Sequence, residues 1–227
     1  MFLVATTHSL FQMQNFLTKA KYGLALHTTS PELGLAIGNF ADDTRCQTWD
    51  FGRDLSNNLH LYLAEFIQPQ TWADLAFVAV AKGPGGFTGT RIGVVTARML
   101  AQQLDIPLFG ISTLAAICQD FLSKNAGTSK TIAVQLPAHR GEVFVAIYQV
   151  SPTGEGLIEL LPDTVMKPEI WQQTLANWPD RYDLVEAPGK LGESVASVLQ
   201  LAAVDWHKGA RPHWSEGLPF YGQHPIE

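Results

Sequence analysis

Short apolar runs separated by turn residues open the chain and predict β-strands. Such runs cover residues 22–29, 33–40 and 44–51, with Ser30-Pro31-Glu32 and Asp42-Asp43 at the turns between them. From Ser56 the apolar positions recur at i, i+3, i+4, i+7 and i+8. This spacing predicts a helix that has Ser56 as its N-cap and stops at Pro69. We therefore expect three antiparallel strands followed by a helix.

A strand, a glycine loop, a helix and a second strand then follow in direct succession. Leu75–Ala81 is a continuous apolar run, a helical pattern covers about Thr90–Leu104, and Ile106–Ile111 is a second apolar run. The loop between the first run and the helix carries Gly83, Gly85, Gly86, Thr88 and Gly89. This order is typical of a parallel crossover unit, and it indicates an α/β architecture.

Further strand and helix patterns follow a polar break at residues 124–130. Strands are predicted over 131–136, 143–150, 156–161 and 183–187, and helices over 168–175 and 192–203, while a helix predicted over 114–122 precedes the break. Three antiparallel strands before a crossover is the ribonuclease-H-like order, which actin-like and sugar-kinase folds share by analogy. We expect an N-terminal extension over 1–20, a first ribonuclease-H-like lobe over 21–123, a second, reduced lobe over 131–208 and an extended C-terminal arm over 209–227.

The helix behind the glycine loop has an unusually narrow polar stripe, formed by Arg91, Arg98 and Gln102. Gly93, Ala97 and Ala101 recur every four residues and form a smooth ridge against which another helix could pack closely. A helix with so little polar surface is usually buried on more than one side. It therefore lies either deep in the core or against a helix of a partner.

Two interpretations of the glycine loop stay open. It lacks the Gly-x4-Gly-Lys-Ser/Thr pattern of a P-loop, and no acidic residue ends the next strand as a dinucleotide site would require. The loop could bind an anion at the helix N-terminus, or it could be a tight turn that positions a buried helix.

Composition and the remaining polar residues narrow the range of functions. The 227 residues carry a net charge of −6 with 15 Lys and Arg, so the chain alone is a poor nucleic-acid binder. The two cysteines have no CxxC spacing, and no run is long enough to span a membrane, so we expect a cytoplasmic protein. The histidines do not form a metal pattern and no catalytic triad is evident. Arg140 and Glu142, beside a strand turn, form an ion pair or contact a ligand.

About thirty consecutive residues carry a specific resemblance. KGPGGFTGTRIG at 82–93, IPL at 106–108 and GISTL at 110–114 closely resemble the GPGSFTGxRIG, helix and IPLxGVSSLEA pattern of the TsaB (YeaZ) family. Weaker matches are residues 26–30 at the family's AIDTS strand, 140–144 at its R-x-E-V-Y hairpin and 218–221 near its P-x-Y.

The resemblance implies a two-lobed actin-like ATPase fold with a reduced second lobe and no catalytic residues of its own. It implies a scaffold that pairs with the catalytic TsaD subunit and a TsaE-like ATPase to install threonylcarbamoyl on the adenosine next to the anticodon of tRNAs reading ANN codons. The tRNA would be reached only through the complex, and the chain alone would form a homodimer. The expected interface residues are Arg91, Gly93, Val94, Ala97, Arg98 and Ala101.

The resemblance implies no tightly bound cofactor and no metal, and leaves open an adenine nucleotide at a partner interface. His27 and Pro137 stand where the family has Asp, Gly86 replaces Ser, and Leu55 falls about where a His is common. Loss of both acids weakens the case for independent Mg-nucleotide chemistry. The alternatives are a small actin-like-fold kinase or nucleotidase that binds Mg-ATP on its own, and a metallopeptidase, for which no protease constellation is present.

Overall fold

Two mixed β-sheets form the framework of the protein. The computed structural model describes residues 22–187 and 189–223. The predicted N-terminal extension over 1–20 lies outside the described residues, as do the last four residues of the predicted C-terminal arm. The described part of the chain contains no helix that is both long and apolar enough to cross a membrane.

The first sheet has five strands in the order β3-β2-β1-β4-β5. They are β1 (Tyr22–His27), β2 (Glu32–Gly38), β3 (Thr44–Asp50), β4 (Leu75–Ala81) and β5 (Leu108–Ile111). The first three are antiparallel, whereas β1, β4 and β5 are parallel. Every residue of β4 is buried, as its continuous apolar run requires for a strand covered on both faces.

Helices cover both faces of the first sheet. On one face, α1 (Leu55–Phe66) and α2 (Phe87–Leu104) form a core with the apolar residues of β1, β2 and β4. On the other face lies α5 (Val195–His207), which contacts β1, β2 and β4. Small residues such as Ala25, Ala36 and Ala79 line this second face, so α5 can approach the sheet closely.

The second sheet has four strands in the order β8-β7-β6-β9. They are β6 (Thr131–Pro137), β7 (Val143–Val150), β8 (Leu157–Met166) and β9 (Tyr182–Glu186). Helix α3 (Thr113–Lys124) packs on one face of this sheet and also contacts α5, while α4 (Pro168–Ala176) packs on the other through Trp171 and Leu175. The two sheets are thus joined through the α3–α5 contact.

The structure confirms the predicted α/β class with mixed sheets and moves several element boundaries. Helix α1 begins at Leu55, and its N-cap is Asp54 rather than the predicted Ser56. Helix α2 begins at Phe87, three residues before the predicted start, because Gly86 already acts as the N-cap. Strand β8 extends to Met166, five residues beyond the prediction.

Helix α5 differs from the prediction in its bounds and in its packing partner. The predicted helix over 192–203 is a short 3-10 turn at Leu191–Ser194 followed by α5, which runs on to His207. Although this segment was expected in a second lobe, its apolar residues pack on the first sheet. The division of the chain into lobes stays a prediction.

Candidate functional site

The glycine loop lies directly against the turn between β1 and β2. The Gly86 amide donates to the Thr29 carbonyl oxygen at 2.7 Å, and the Thr28 hydroxyl donates to the Gly89 carbonyl oxygen at 2.8 Å. An added Cβ at Gly89 would overlap the Thr28 carbonyl, and one at Gly93 would overlap the Thr28 hydroxyl. Glycine is required at these two positions by close packing, which supports the tight-turn interpretation.

A cavity of about 410 Å³ is lined by the start of α2, the β1–β2 turn and the residues that lead into α1. The residues that line it include Ser30, Ser56 and Thr88, together with Arg53 and Phe87. The first amides of α2 and the Arg53 guanidinium suit an anion chemically. An anion or nucleotide at Gly83, Gly85, Gly86, Thr88 and Gly89 stays a prediction.

Four of the six predicted interface residues are buried in the core of the chain itself. Ala97 and Ala101 have no exposed surface, Val94 is 1% exposed, and Gly93 packs on Thr28. The prediction that they form a ridge for a partner's helix is therefore wrong. Small residues at four-residue spacing do mark a close approach, but the element they approach is the first sheet and its β1–β2 turn.

The outward face of α2 carries a different apolar stripe. Val95 is 47% exposed and Met99 is 64% exposed, one turn apart and following Arg91, which is also exposed. Arg98 is half-buried beside them. Leu61, 57% exposed, lies on α1, which packs beside α2 on the same face of the sheet. We call Leu61, Val95 and Met99 the outer face of α1–α2.

Sequence reasoning missed this outer face although a signal was present. The large apolar residues Val95 and Met99 lie between Arg91 and Gln102 at helical spacing, which is unusual for a surface that contacts only water. The predicted interface contained Gly93, Ala97 and Ala101, which are buried, and did not contain Val95 or Met99, which are exposed.

The second predicted motif, Arg140 and Glu142, contacts the C-terminal segment and does not form the predicted ion pair within the described residues. Arg140 is exposed and adopts a left-handed backbone with φ of 60°, and the described residues show no ion pair between it and Glu142. The Gln223 side chain donates to the Glu142 carboxylate at 2.6 Å and to the His139 carbonyl at 3.1 Å. The alternative in which Arg140 contacts a ligand stays a prediction.

His27 ends β1 in a fully enclosed position. It has no exposed surface, and neither of its ring nitrogens has a hydrogen-bond partner within residues 22–187 and 189–223. Burial disfavours the charged imidazolium and lowers the pKa of His27 to about 3. At neutral pH this side chain is therefore an uncharged core residue.

A polar cluster that the sequence did not reveal joins the two sheets. The hydroxyls of Ser112 and Tyr148 both donate to the Asp163 carboxylate, at 2.9 and 2.8 Å. Ser112 also accepts hydrogen bonds from the amides of Leu114 and Ala115 and so caps α3. Burial raises the pKa of Asp163, although the two hydroxyls and the positive charge of Lys82 oppose that shift.

The residues that the structure describes contain no group of three or more His, Cys, Asp or Glu side chains placed to hold a metal ion. The strand order of the first sheet, the mixed second sheet and the glycine loop at the head of α2 define an α/β protein with two mixed sheets, as predicted.

Comparison with known proteins identifies the family to which the chain belongs. A sequence model described as TsaD, tRNA N6-adenosine threonylcarbamoyltransferase, matches residues 53–182, which is more than half of the chain. The chain belongs to this family, and the relatives that it matches include TsaB proteins.

Two TsaB proteins illustrate the similarity. The tRNA threonylcarbamoyladenosine biosynthesis protein TsaB of Escherichia coli (strain K12) is 38% identical over 109 residues, which are 46% of this chain and 46% of that protein. TsaB of Bacillus subtilis (strain 168) is 36% identical over 103 residues, 45% of this chain and 42% of that protein. The chain thus matches about half the length of these curated relatives.

The fold is similar to that of solved structures over a longer range. YeaZ from Pseudomonas aeruginosa superposes with a TM-score of 0.72 at 21% identity, covering 88% of this chain and 100% of that chain. A protein described as uncharacterized, with similarity to peptidase YEAZ from Pseudomonas aeruginosa, gives a TM-score of 0.72 at 20% identity. At such identity the likeness establishes the fold and leaves the chemistry to be argued from the residues.

Proposed function

We propose that this chain is a non-catalytic TsaB-type subunit that binds a TsaD subunit, which carries the transferase chemistry for threonylcarbamoyladenosine in tRNA. The observation that carries the proposal is the outer face of α1–α2 in a chain whose relatives are TsaB proteins. Large apolar side chains that stand exposed on adjacent helices are typical of protein–protein contact surfaces.

The geometry favours a helix-to-helix contact. Helices α1 and α2 pack side by side on the first sheet, so a partner can lay its own helices along both. Met99 and Leu61 are the most exposed of the three apolar residues, and both are large enough to fill a partner's groove. The same surface would serve a homodimer when TsaD is absent, so we expect the two assemblies to compete.

Because the chain is negatively charged, we infer that other subunits bind the tRNA. With a net charge of −6, the chain gains little from phosphate contacts. We infer that tRNA is held by TsaD, and that a TsaE-like ATPase joins the complex. An adenine nucleotide would reach the glycine loop only where a partner closes the adjoining cavity.

The direct test mixes the purified chain with the TsaD protein encoded in the same genome and measures the mass of the complex by light scattering. We expect a stable heterodimer from the native chain. Met99→Asp should weaken it by more than about tenfold, which is about 1.4 kcal/mol, because a carboxylate would be buried at the contact.

A matched control shows whether weaker binding comes from the outer face itself or from adding a negative charge anywhere on the surface. Ile170 is 51% exposed on α4, away from the outer face, so Ile170→Asp should leave the heterodimer intact. Ala97→Trp would be uninformative because Ala97 is in the core and the larger ring would disrupt the fold. If Met99→Asp and Ile170→Asp bound TsaD equally well, the interface assignment would be wrong. Tight Mg-ATP binding by the isolated chain would favour the kinase or nucleotidase alternative.

A further inference from the structure

The C-terminal segment forms an arch beside the open edge of the first sheet. Strand β5 is the last strand of that sheet. At one end of the arch, the Leu108 amide donates to the Pro212 carbonyl at 3.3 Å, and at the other the Phe220 amide donates to the Lys82 carbonyl at 2.7 Å. Between these two anchors a short 3-10 turn at Trp214–Glu216 contacts β5, and Gly217 packs against the Leu108 side chain.

The arch leaves the backbone of Gly110 without a partner. The Val78 amide bonds to the Pro107 carbonyl, and the Lys82 amide bonds to the Ile111 carbonyl. Alternate residues of a strand present their amide and carbonyl to opposite sides, so those of Gly110 point away from β4. Neither group has a hydrogen-bond partner among the described residues.

A cavity of about 830 Å³ fills the space between β5 and the arch. Its lining includes the apolar residues Leu218 and Phe220, and the charged residues at its rim are Lys82, Asp205, Arg211 and Glu216. Its volume falls within the roughly 300–1,000 Å³ of typical ligand sites. A smaller cavity of about 220 Å³ also borders Lys82 and Gly110, so Lys82 lies between the two.

The two cations at the rim differ in how far they are already engaged. The Arg211 guanidinium donates to the carbonyls of Trp206 and Ala210 and lies 3.3 Å above the centre of the Trp206 ring. The half-buried Lys82 ammonium has no ion pair among the described residues, although its charge acts on Asp163. Lys82 is therefore the cation available to a ligand.

We propose that this cavity binds an extended acidic peptide segment of a partner protein, which pairs with the free edge of β5 at Gly110. An unpaired amide and carbonyl on one edge residue match the carbonyl and amide of another main chain, as in recognition by strand addition. Side chains of the bound strand would alternate between a carboxylate at Lys82 and an apolar group against Leu218 and Phe220.

The site is independent of the proposed role with TsaD. Strand β5 and the arch contribute nothing to the outer face of α1–α2, which is formed by the exposed sides of two helices. A loss of peptide binding would therefore leave the heterodimer unchanged, and the two proposals can fail separately.

The test selects random octapeptides displayed on phage against the full chain and then titrates the selected peptide, made synthetically, into the ¹⁵N-labelled protein. We expect peptides with Asp or Glu alternating with apolar residues, and a bound peptide that shifts the Gly110 amide resonance and slows its hydrogen exchange. Lys82→Gln should weaken binding about fivefold, as for an ion pair near the surface. Lys167→Gln, at an exposed lysine before α4, should leave binding unchanged.

Three results would overturn the proposal. They are the recovery of no peptide above background, a selected peptide that leaves the Gly110 resonance in place, and equal binding by Lys82→Gln and the native chain. A further check replaces the main-chain amides of the selected peptide with N-methyl amides, which removes the donors that strand addition needs. Undiminished binding by that peptide would show that the cavity recognises side chains alone, and the strand-addition model would be wrong.

Discussion

His27 should make the protein less stable in mild acid. The folded state keeps this buried imidazole neutral down to a pKa of about 3, whereas the ordinary value in an unfolded chain is 6.5. Below pH 6.5 the unfolded state therefore binds a proton that the folded state does not, and stability falls as the pH falls toward 3. Above pH 6.5 the imidazole is neutral in both states, and His27 then causes no loss of stability.

The loss of stability depends on how far the pH lies below 6.5, the ordinary pKa of histidine. Each unit of pH below 6.5 corresponds to about 1.4 kcal/mol, so lowering the pH from 7.5 to 5 should remove about 2 kcal/mol from the free energy of unfolding. That is a large share of the roughly 5–15 kcal/mol that stabilises a typical domain. The raised pKa of Asp163 acts in the opposite direction, because a folded state that takes up a proton more readily gains stability in acid.

Urea denaturation at pH 7.5 and pH 5 measures this difference. His27→Leu should abolish the His27 contribution, because leucine is similar in size and does not titrate. The variant should also be at least as stable as the native chain at pH 7.5, since it removes two buried nitrogen atoms that have no hydrogen-bond partner in the described part of the chain. His60→Gln, at an exposed site on α1, should keep the full acid dependence. If His27→Leu lost as much stability between the two pH values as the native chain, His27 would not be the group responsible.

Two further predictions concern packing and thiol reactivity. Gly93→Ala should destabilise the protein by about 1–3 kcal/mol in urea denaturation, because the new methyl group overlaps the β1–β2 turn, while Gly189→Ala, with open space around it, should change stability little. In a thiol-labelling assay at pH 8, the exposed Cys46 should react in the native chain, whereas the buried Cys118, whose pKa burial raises to about 12, should react only after unfolding. Equal stability of the two glycine variants, or rapid labelling of both thiols, would contradict the packing described above.

Elements with strong periodicity could be predicted from the sequence. The strand predicted at Leu75–Ala81 has those bounds in the structure, because a continuous apolar run between turn signals has few other solutions. The glycine loop and the helix behind it were also placed correctly, apart from the first three residues of the helix.

The ridge on α2 shows where local pattern is insufficient. Gly93 and Ala97 indicate that something approaches the helix closely, yet the same spacing serves a partner's helix or the chain's own sheet. Only the tertiary structure shows that the neighbour is the β1–β2 turn, and hence that Val95 and Met99 are the residues left outside.

Contacts between residues that are far apart in the chain could not be predicted from the sequence either. The cluster of Ser112, Tyr148 and Asp163 joins residues up to 51 positions apart, and no periodicity relates them. The C-terminal segment has no helical or strand pattern, so its hydrogen bonds to Leu108 and Lys82 could not be anticipated. Both features depend on contacts that only the folded chain creates.

The most direct test of the central claim is mass spectrometry of nucleosides from tRNA in cells of the source organism depleted of this chain. We expect threonylcarbamoyladenosine to fall when the chain is depleted, to recover with the native chain or Ile170→Asp, and to recover poorly with Met99→Asp. An unchanged level of the modified nucleoside after depletion would contradict the assignment to tRNA modification.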